Sequence, residues 1–335
     1  MSEAEAFEKI HQISMGHMIS RIVHAGTFLR IPDYVENGPK KAEDVAKDLN
    51  ANVDNIYRLM RAMSSQGIMK EEDDHVFSKT PMSTLLTSGP QGYARSIILA
   101  ECSDVHYRGF LSLVKTIQTG IFHGPSDNGV ENFWDIHRNH PDVDLEFSKN
   151  MTALSLRQSP IVVKESDFTG CEITCDLGGS QGIITREILK QNPHVKKGIN
   201  FDMGHLIELN KKQIREGSEM DRFEDQSGDF FTAVPYADAY TMKFIFHDWN
   251  DELCRKILSN IEKANPKAIV YIYDSIIDTK NQPGLFPLLD IKMMHFLDGR
   301  ERSVEDWNTL VSGSNYRIAS MNSTIQPGIV KLVHK

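Results

Sequence analysis

The chain is short of several things at once, and each shortage closes a class of explanation. Among its 335 residues only four are cysteines, Cys102, Cys171, Cys175 and Cys254, with no paired CxxC set. Neither a disulfide scaffold nor a zinc cluster is expected, and a reducing compartment suits the chain. Cys171 and Cys175 read as small core residues beside a strand. No run of 18 apolar residues occurs, and the start "MSEAEAFEKIHQ" is acidic without an apolar segment. Neither a membrane span nor a secretion signal is expected, so the cytoplasm is the expected location. Positive charge is also scarce: 37 Lys and Arg face 46 Asp and Glu, for a net charge of −9. That leaves no basic field to hold nucleic acid or an anionic membrane, and small molecules are the expected partners.

What is present falls into two textures. Residues 10–35 place Ile10, Ile13, Ile19, Ile22 and Phe28 at helical spacing over more than one face, ahead of a break at Pro32. A partner subunit or the helix's own domain must cover those faces. "KKAEDVAKDLNANVDNIYRLMRAMSSQGIMKEEDDHVFSKTP" then predicts a short helix, a turn, a second helix carrying Ile56, Leu59, Met60 and Met63, and two β-like pieces, the layout of a winged helix-turn-helix. DNA binding would be the obvious reading, yet the tip "KEEDDH" is acidic where phosphate contact needs the opposite charge. Packing or dimerisation suits this module better. Residues 104–165 read as helical. From Ile173 onward, strands "EITCDLG", "KKGINFD", "DAYTMKFIF" and "KAIVYIYDSII" alternate with helical segments, which specifies a parallel doubly wound sheet.

In such a sheet ligands bind beyond the carboxyl ends of the strands, so the residues after each strand matter most. The first is followed by "DLGGSQG". A dinucleotide fingerprint would need glycine at 178, 180 and 183, and the chain has Gly178, Ser180 and Ile183, which disfavours NAD. Asp202 follows the second strand and reads either as a ligand for ribose hydroxyls or as a helix cap. "GDFF" sets Asp229 beside Phe230 and Phe231, a carboxylate next to aromatics. The third long strand ends in "MKFIFHDWNDE", an imidazole and carboxylates where apolar sequence meets water.

In that order and at those intervals, "DLGGSQG", "FDM", "GDFF" and "MKFIFHDWNDE" resemble the S-adenosylmethionine-dependent O-methyltransferases of the caffeate and hydroxyindole type, over nearly the whole chain. The resemblance implies an α/β fold with a Rossmann-like doubly wound methyltransferase domain over residues 101–335, preceded by a mostly α winged-helix dimerisation domain over 1–100. It implies S-adenosylmethionine as cofactor, no metal, and a homodimer. Gly178, Gly182, Asp202, Asp229, Phe230 and Lys243 match its cofactor contacts, Lys243 through its backbone carbonyl. "FSKNM" matches a segment that would bring Phe147 and Ser155 to the cofactor and Met151 to the substrate. His247 matches the general base, flanked by Asp274 and Glu301. The chain departs from the pattern at Ser180, where glycine is usual, at Gln181, and at Asp274, where plant members carry glutamate.

Beside that resemblance, the residues themselves argue for phenols. An imidazole near pKa 6.5 and a phenol near 10 differ by roughly 3.5 units, about 5 kcal/mol, which a base can bridge as the new bond forms; an aliphatic alcohol is a much weaker acid. Asp248 is expected to cap the helix starting near Asn250, and Trp249 to pack over the cofactor pocket. The stretch "GLFPLLDIKMMHFLDGRER" reads as a buried helix, in which Met293, Met294 or Phe296 would wall an apolar slot for an aromatic ring. Three other readings stay open at this level. They are a ligand-sensing winged-helix transcription regulator, a metal-dependent catechol-type methyltransferase, and a catalytically silent member that binds cofactor only.

Overall fold

The computed structural model describes residues 1–211, 216–277 and 284–335. The chain forms two compact units that interleave in sequence. One comprises Met1–Leu111 and Trp134–Ala153, the other Ser112–Phe133 and Leu154–Lys335.

In the first unit, helices Glu3–Ser14, Gly16–Phe28 and Ile31–Glu36 precede a small module. Pro32 does not break the chain as expected; it lies in the first turn of Ile31–Glu36, where no amide hydrogen is needed. The break falls instead at Arg30, whose φ is 60°. Helix Val53–Ser65 is capped by the Asn52 side chain, which accepts from the Asn55 amide, and buries Ile56, Met60 and Met63 on one face. The strands β1 (Lys40–Lys41), β2 (Met69–Glu71) and β3 (Val76–Lys79) pair antiparallel in the order β1-β3-β2. Helix Glu3–Ser14 buries nothing, and its Phe7, Ile10 and Ile13 are each about two-thirds or more exposed.

The second unit is built on a sheet of β4 (Ile173–Leu177), β5 (Lys197–Asp202), β6 (Phe223–Ser227), β7 (Ala239–Lys243), β8 (Ile269–Asp274), β9 (Tyr316–Asn322) and β10 (Gly328–His334). Its order is β6-β5-β4-β7-β8-β10-β9. The first five strands in that order are parallel, and β10 runs antiparallel to both β8 and β9. Successive residues of β7 serve opposite faces. Tyr240 and Met242 pack with Ile257, Leu258 and Trp307 on one side, while Ala239 packs with Val163, Ile184 and Ile188 on the other. Burial on both faces is what makes the parallel strands read as near-continuous apolar runs. Strand order reverses between β4 and β7, so the loops leaving these two strands diverge and open a crevice at their carboxyl ends.

Candidate active site

The loop after β4 is shaped by two glycines in the left-handed region, Gly178 at φ 73° and Gly182 at φ 72°. A Cβ at Gly182 would stand 2.6 Å from the Phe223 ring. Ser180 shares that conformation at φ 48° without being glycine. The loop is tied down instead: the Ser180 amide donates to Asp202 Oδ2 at 2.7 Å, and its carbonyl accepts from Asn200 Nδ2 at 2.9 Å and from Asn210. The other Asp202 oxygen accepts from the Met203 amide at 2.7 Å, so this carboxylate fastens the glycine loop to the end of β5. Burial pushes the Asp202 carboxyl up despite those two hydrogen bonds. Asp229 accepts from the Phe231 amide at 2.8 Å and from the Thr232 hydroxyl at 3.1 Å. Phe230 meets Phe231 edge-on at 4.8 Å, and Phe231 meets Trp249 edge-on at 4.9 Å, which fits the packing role expected of Trp249.

The strand "DAYTMKFIF" is shorter than its apolar run. β7 stops at Lys243 because Phe244 turns to φ 56°, and residues Phe246–Asp248 form a 3-10 turn. A bulky residue at positive φ costs on the order of 1–3 kcal/mol and needs its surroundings to hold it. Here the Phe244 amide donates to the Tyr273 carbonyl at 3.1 Å. The turn presents His247 to three carboxylates. Its Nδ1 donates to Glu301 Oε1 at 2.7 Å, its amide donates to Asp274 Oδ2 at 3.2 Å, and its Nε2 lies 3.4 Å from Asp248 Oδ1. Asp248 is therefore not the helix cap expected of it: Asn250 caps helix Asp251–Ala264 by accepting from the Leu253 amide. A 3-10 turn sets consecutive side chains about 120° apart rather than on opposite faces as in a strand, which leaves Asp248 within reach of the His247 ring.

Burial would lower the His247 imidazole, but the charge of Asp248, the hydrogen bond to Glu301 and the charge of Asp274 outweigh it and push it up to about 9. Burial pushes the carboxyl of Asp248 up to about 6 and that of Asp274 to about 7, against the opposing charge of His247. Glu301 is itself oriented. The Ser275 hydroxyl donates to its second oxygen, and its amide donates to Asp290 Oδ1 at 2.9 Å. Arg302 is 1% exposed and clamps the turn from outside, donating to the carbonyls of Phe246 at 2.7 Å and Trp249 at 2.9 Å and pairing with Asp251 at 2.8 Å. Phe244, Asp248, Ser275, Asp290 and Arg302 were not singled out by sequence as parts of this site. For Arg302 a signal existed, a charged residue directly after Glu301 where an apolar stretch ends.

The remaining expected residues are placed as follows. Lys243 ends β7 with its Nζ buried, 4.1 Å from the Phe244 ring centroid and without a hydrogen-bond partner among the described residues. Burial lowers its ammonium to about 8, opposed by the charges of Asp176 and Asp274. Ser155, in the second unit, accepts through its carbonyl from the Ser159 hydroxyl at 2.6 Å. Phe147 and Met151 belong to the first unit, where Phe147 packs against His137 at 4.6 Å. Met293, Met294 and Phe296 lie on helix Phe286–Phe296; Phe296 is fully buried, edge-on to Phe133 at 5.8 Å, and Met294 is partly exposed. His247, Asp274 and Glu301 are thus gathered into one contact set. Gly178 and Gly182 belong to one loop that Asp202 fastens through the Ser180 amide, and Asp229 and Phe230 adjoin the aromatic group around Trp249.

A doubly wound sheet of this order, closed by an antiparallel pair and preceded by a helical module, is that of a Rossmann-like methyltransferase. The chain belongs to the O-methyltransferase family: residues 114–317 match the sequence profile of the O-methyltransferase domain, and residues 11–89 that of the O-methyltransferase dimerisation domain. It is similar to O-methyltransferase 7 of Dictyostelium discoideum, with 31% identity covering 99% of this chain and 96% of that one. Among solved structures it is similar to a mitomycin 7-O-methyltransferase, at a TM-score of 0.90 and 25% identity, covering 99% of this chain and 98% of that one. Human N-acetylserotonin methyltransferase, solved in complex with S-adenosylmethionine, shares the fold at a TM-score of 0.86 and 22% identity, covering 100% of this chain and 99% of that one.

Proposed function

We propose that this O-methyltransferase transfers the methyl group of S-adenosylmethionine to a phenolic hydroxyl of a small aromatic metabolite, with His247 as the general base. The observation that carries this reading is the imidazole held at Nδ1 by Glu301 at 2.7 Å, on a turn at the crevice end of the sheet. The residues present fit the cofactor. The left-handed backbone at Gly178 and Gly182 shapes an open loop at the strand ends, and the buried Lys243 Nζ has no hydrogen-bond partner among the described residues. Gly178, Gly182, Asp202, Asp229, Phe230 and Lys243 would hold it, with Ser155 contributing from the second unit's part of the helix Pro141–Lys164. When bound, S-adenosylmethionine supplies a methyl group on a sulfonium, ready for in-line displacement.

Glu301 fixes Nδ1 in its protonated form, so Nε2 is the nitrogen that takes the hydroxyl proton. The carboxylates strengthen that base. With the imidazole pushed up to about 9, the gap to a phenol near 10 shrinks to about one unit, roughly 1.4 kcal/mol. A base this strong is largely protonated at neutral pH. The neutral imidazole is the form that accepts a proton, so turnover is expected to rise with pH toward about 9. Met293, Met294 and Phe296 would line the substrate slot. The exposed Phe7, Ile10 and Ile13 of the first helix suit a partner copy, in keeping with the dimerisation domain, and support a homodimer in which residues 1–100, with their winged-helix layout, pair and residues 101–335 carry the chemistry. The acidic net charge supports neither nucleic acid nor membrane as partner, and no described helix is long and apolar enough to cross a membrane. Unpaired cysteines favour the cytoplasm.

The test is methyl transfer from labelled S-adenosylmethionine to a panel of phenols, hydroxyindoles and hydroxyquinones, with His247→Ala alongside. The variant is expected to lose turnover by a factor of roughly 10²–10⁴ while calorimetry still detects S-adenosylhomocysteine binding. Undiminished turnover removes the base assignment.

A further inference from the structure

We propose that Phe244 is a positioning residue for His247, its aromatic face fixing the plane of the imidazole and supporting the ring in its protonated form. The inference rests on the reading of His247 as the base. A hydrogen bond from Nδ1 to Glu301 fixes one edge of the ring, yet leaves it free to swing about that bond. What holds a plane is a flat partner. The Phe244 ring supplies one, with its centroid 5.4 Å from that of His247 and the two planes inclined by 27°.

Phe244 reaches this place through its backbone. Had β7 continued, residue 244 would project to the face opposite Lys243. At φ 56° the strand ends instead, and the rings of residues 244 and 247 come onto one surface. Such a conformation is a true outlier for a bulky residue, of the kind concentrated at active sites. The same ring receives the Lys243 ammonium, 4.1 Å from its centroid. An aromatic face attracts cations, so it favours the ammonium and an imidazolium alike. The charged groups acting at this point are Asp248, Asp274 and Glu301 on the imidazole, Lys243 on the ring, Lys292 on Asp248 and Arg302 on Asp274. Among them Phe244 is the neutral surface on which the imidazole lies.

The experiment uses the full chain with Phe244→Leu, Phe244→Tyr, Phe244→Gly and His247→Ala. It reads kcat, the KM for the methyl donor, thermal midpoints, and the His247 titration by NMR without cofactor. Phe244→Leu is expected to lower kcat about 10-fold with little change in KM, and to lower the imidazole midpoint by about 0.5–1 unit as the cation–π contribution is lost. Phe244→Tyr restores both. Phe244→Gly accepts the positive φ, so its thermal midpoint falls no further than the leucine variant's while kcat falls as in that variant. If Phe244→Leu keeps the parent kcat and midpoint while His247→Ala has lost turnover, the positioning role is overturned and the base reading stands. If His247→Ala keeps its turnover, the base reading falls and this inference with it.

Discussion

Replacing Glu301 by glutamine preserves the shape of the side chain and removes one charge from the cluster around His247. The consequence has a definite sign. The imidazole is pushed from an ordinary 6.5 up to about 9 in the folded chain, so its interactions stabilise the fold fully below pH ~6.5 and are lost as pH rises through 9. Those 2.5 units correspond to about 3 kcal/mol. A hydrogen bond to a charged partner at 2.7 Å contributes roughly 1.5–3 kcal/mol, so glutamine should lower the imidazole by about 1–2 units. The difference in unfolding free energy between parent and Glu301→Gln is then largest near pH 6, shrinks through pH 7–9, and vanishes above it. Urea titrations at half-unit pH steps from 6 to 9.5 measure this; acids away from the cluster cancel in the difference, while Asp248 and Asp274, which Glu301 also pushes up, change in the same direction. The acidic limb of kcat/KM should move down by about the same 1–2 units. A difference that is flat across this range, or that grows with pH, would refute the charge assignment.

Further expectations concern the loop, the clamp and the ion requirement. Ser180→Gly should raise stability by about 0.5–1 kcal/mol, because relief of the left-handed strain exceeds the added freedom of the unfolded chain; a lower urea midpoint would show that the Ser180 side chain stabilises the loop. Arg302→Leu leaves Asp251 and the carbonyls of Phe246 and Trp249 without their buried partner, and should cost about 3 kcal/mol or more by chemical denaturation. Turnover should be insensitive to EDTA and to added magnesium, since the imidazole held by Glu301 at 2.7 Å is the proposed base; EDTA-sensitive activity restored by magnesium would require another mechanism.

Much of the scaffold is legible because it depends on short-range order. The apolar runs of β4, β5, β7 and β8 declare strands covered on both faces, and Asn52 and Asn250 sit where helices begin. Other elements leave weaker marks. β6, "FEDQS", is a polar edge strand with a neighbour on one side only, so no apolar alternation announces it. The antiparallel β9 and β10 close a sheet whose preceding units suggest nothing but parallel strands. Pro32 looks like a stop and is a start, since proline signals either, according to which backbone amide the helix can spare.

By itself the sequence determined the four parallel strands β4, β5, β7 and β8, the glycine loop after β4, the presence of His247 after β7 and the family these motifs announce. It could not determine what His247 touches. Glu301 lies 54 residues away and Asp274 27 residues away, while Asp248, its immediate neighbour, faces Nε2 only because the strand stops at Phe244. The physical reason is that charge interactions and hydrogen bonds depend on distances of a few ångströms and on exclusion of water, and neither is set until distant segments pack. Tertiary structure therefore decided how tightly this imidazole holds its proton.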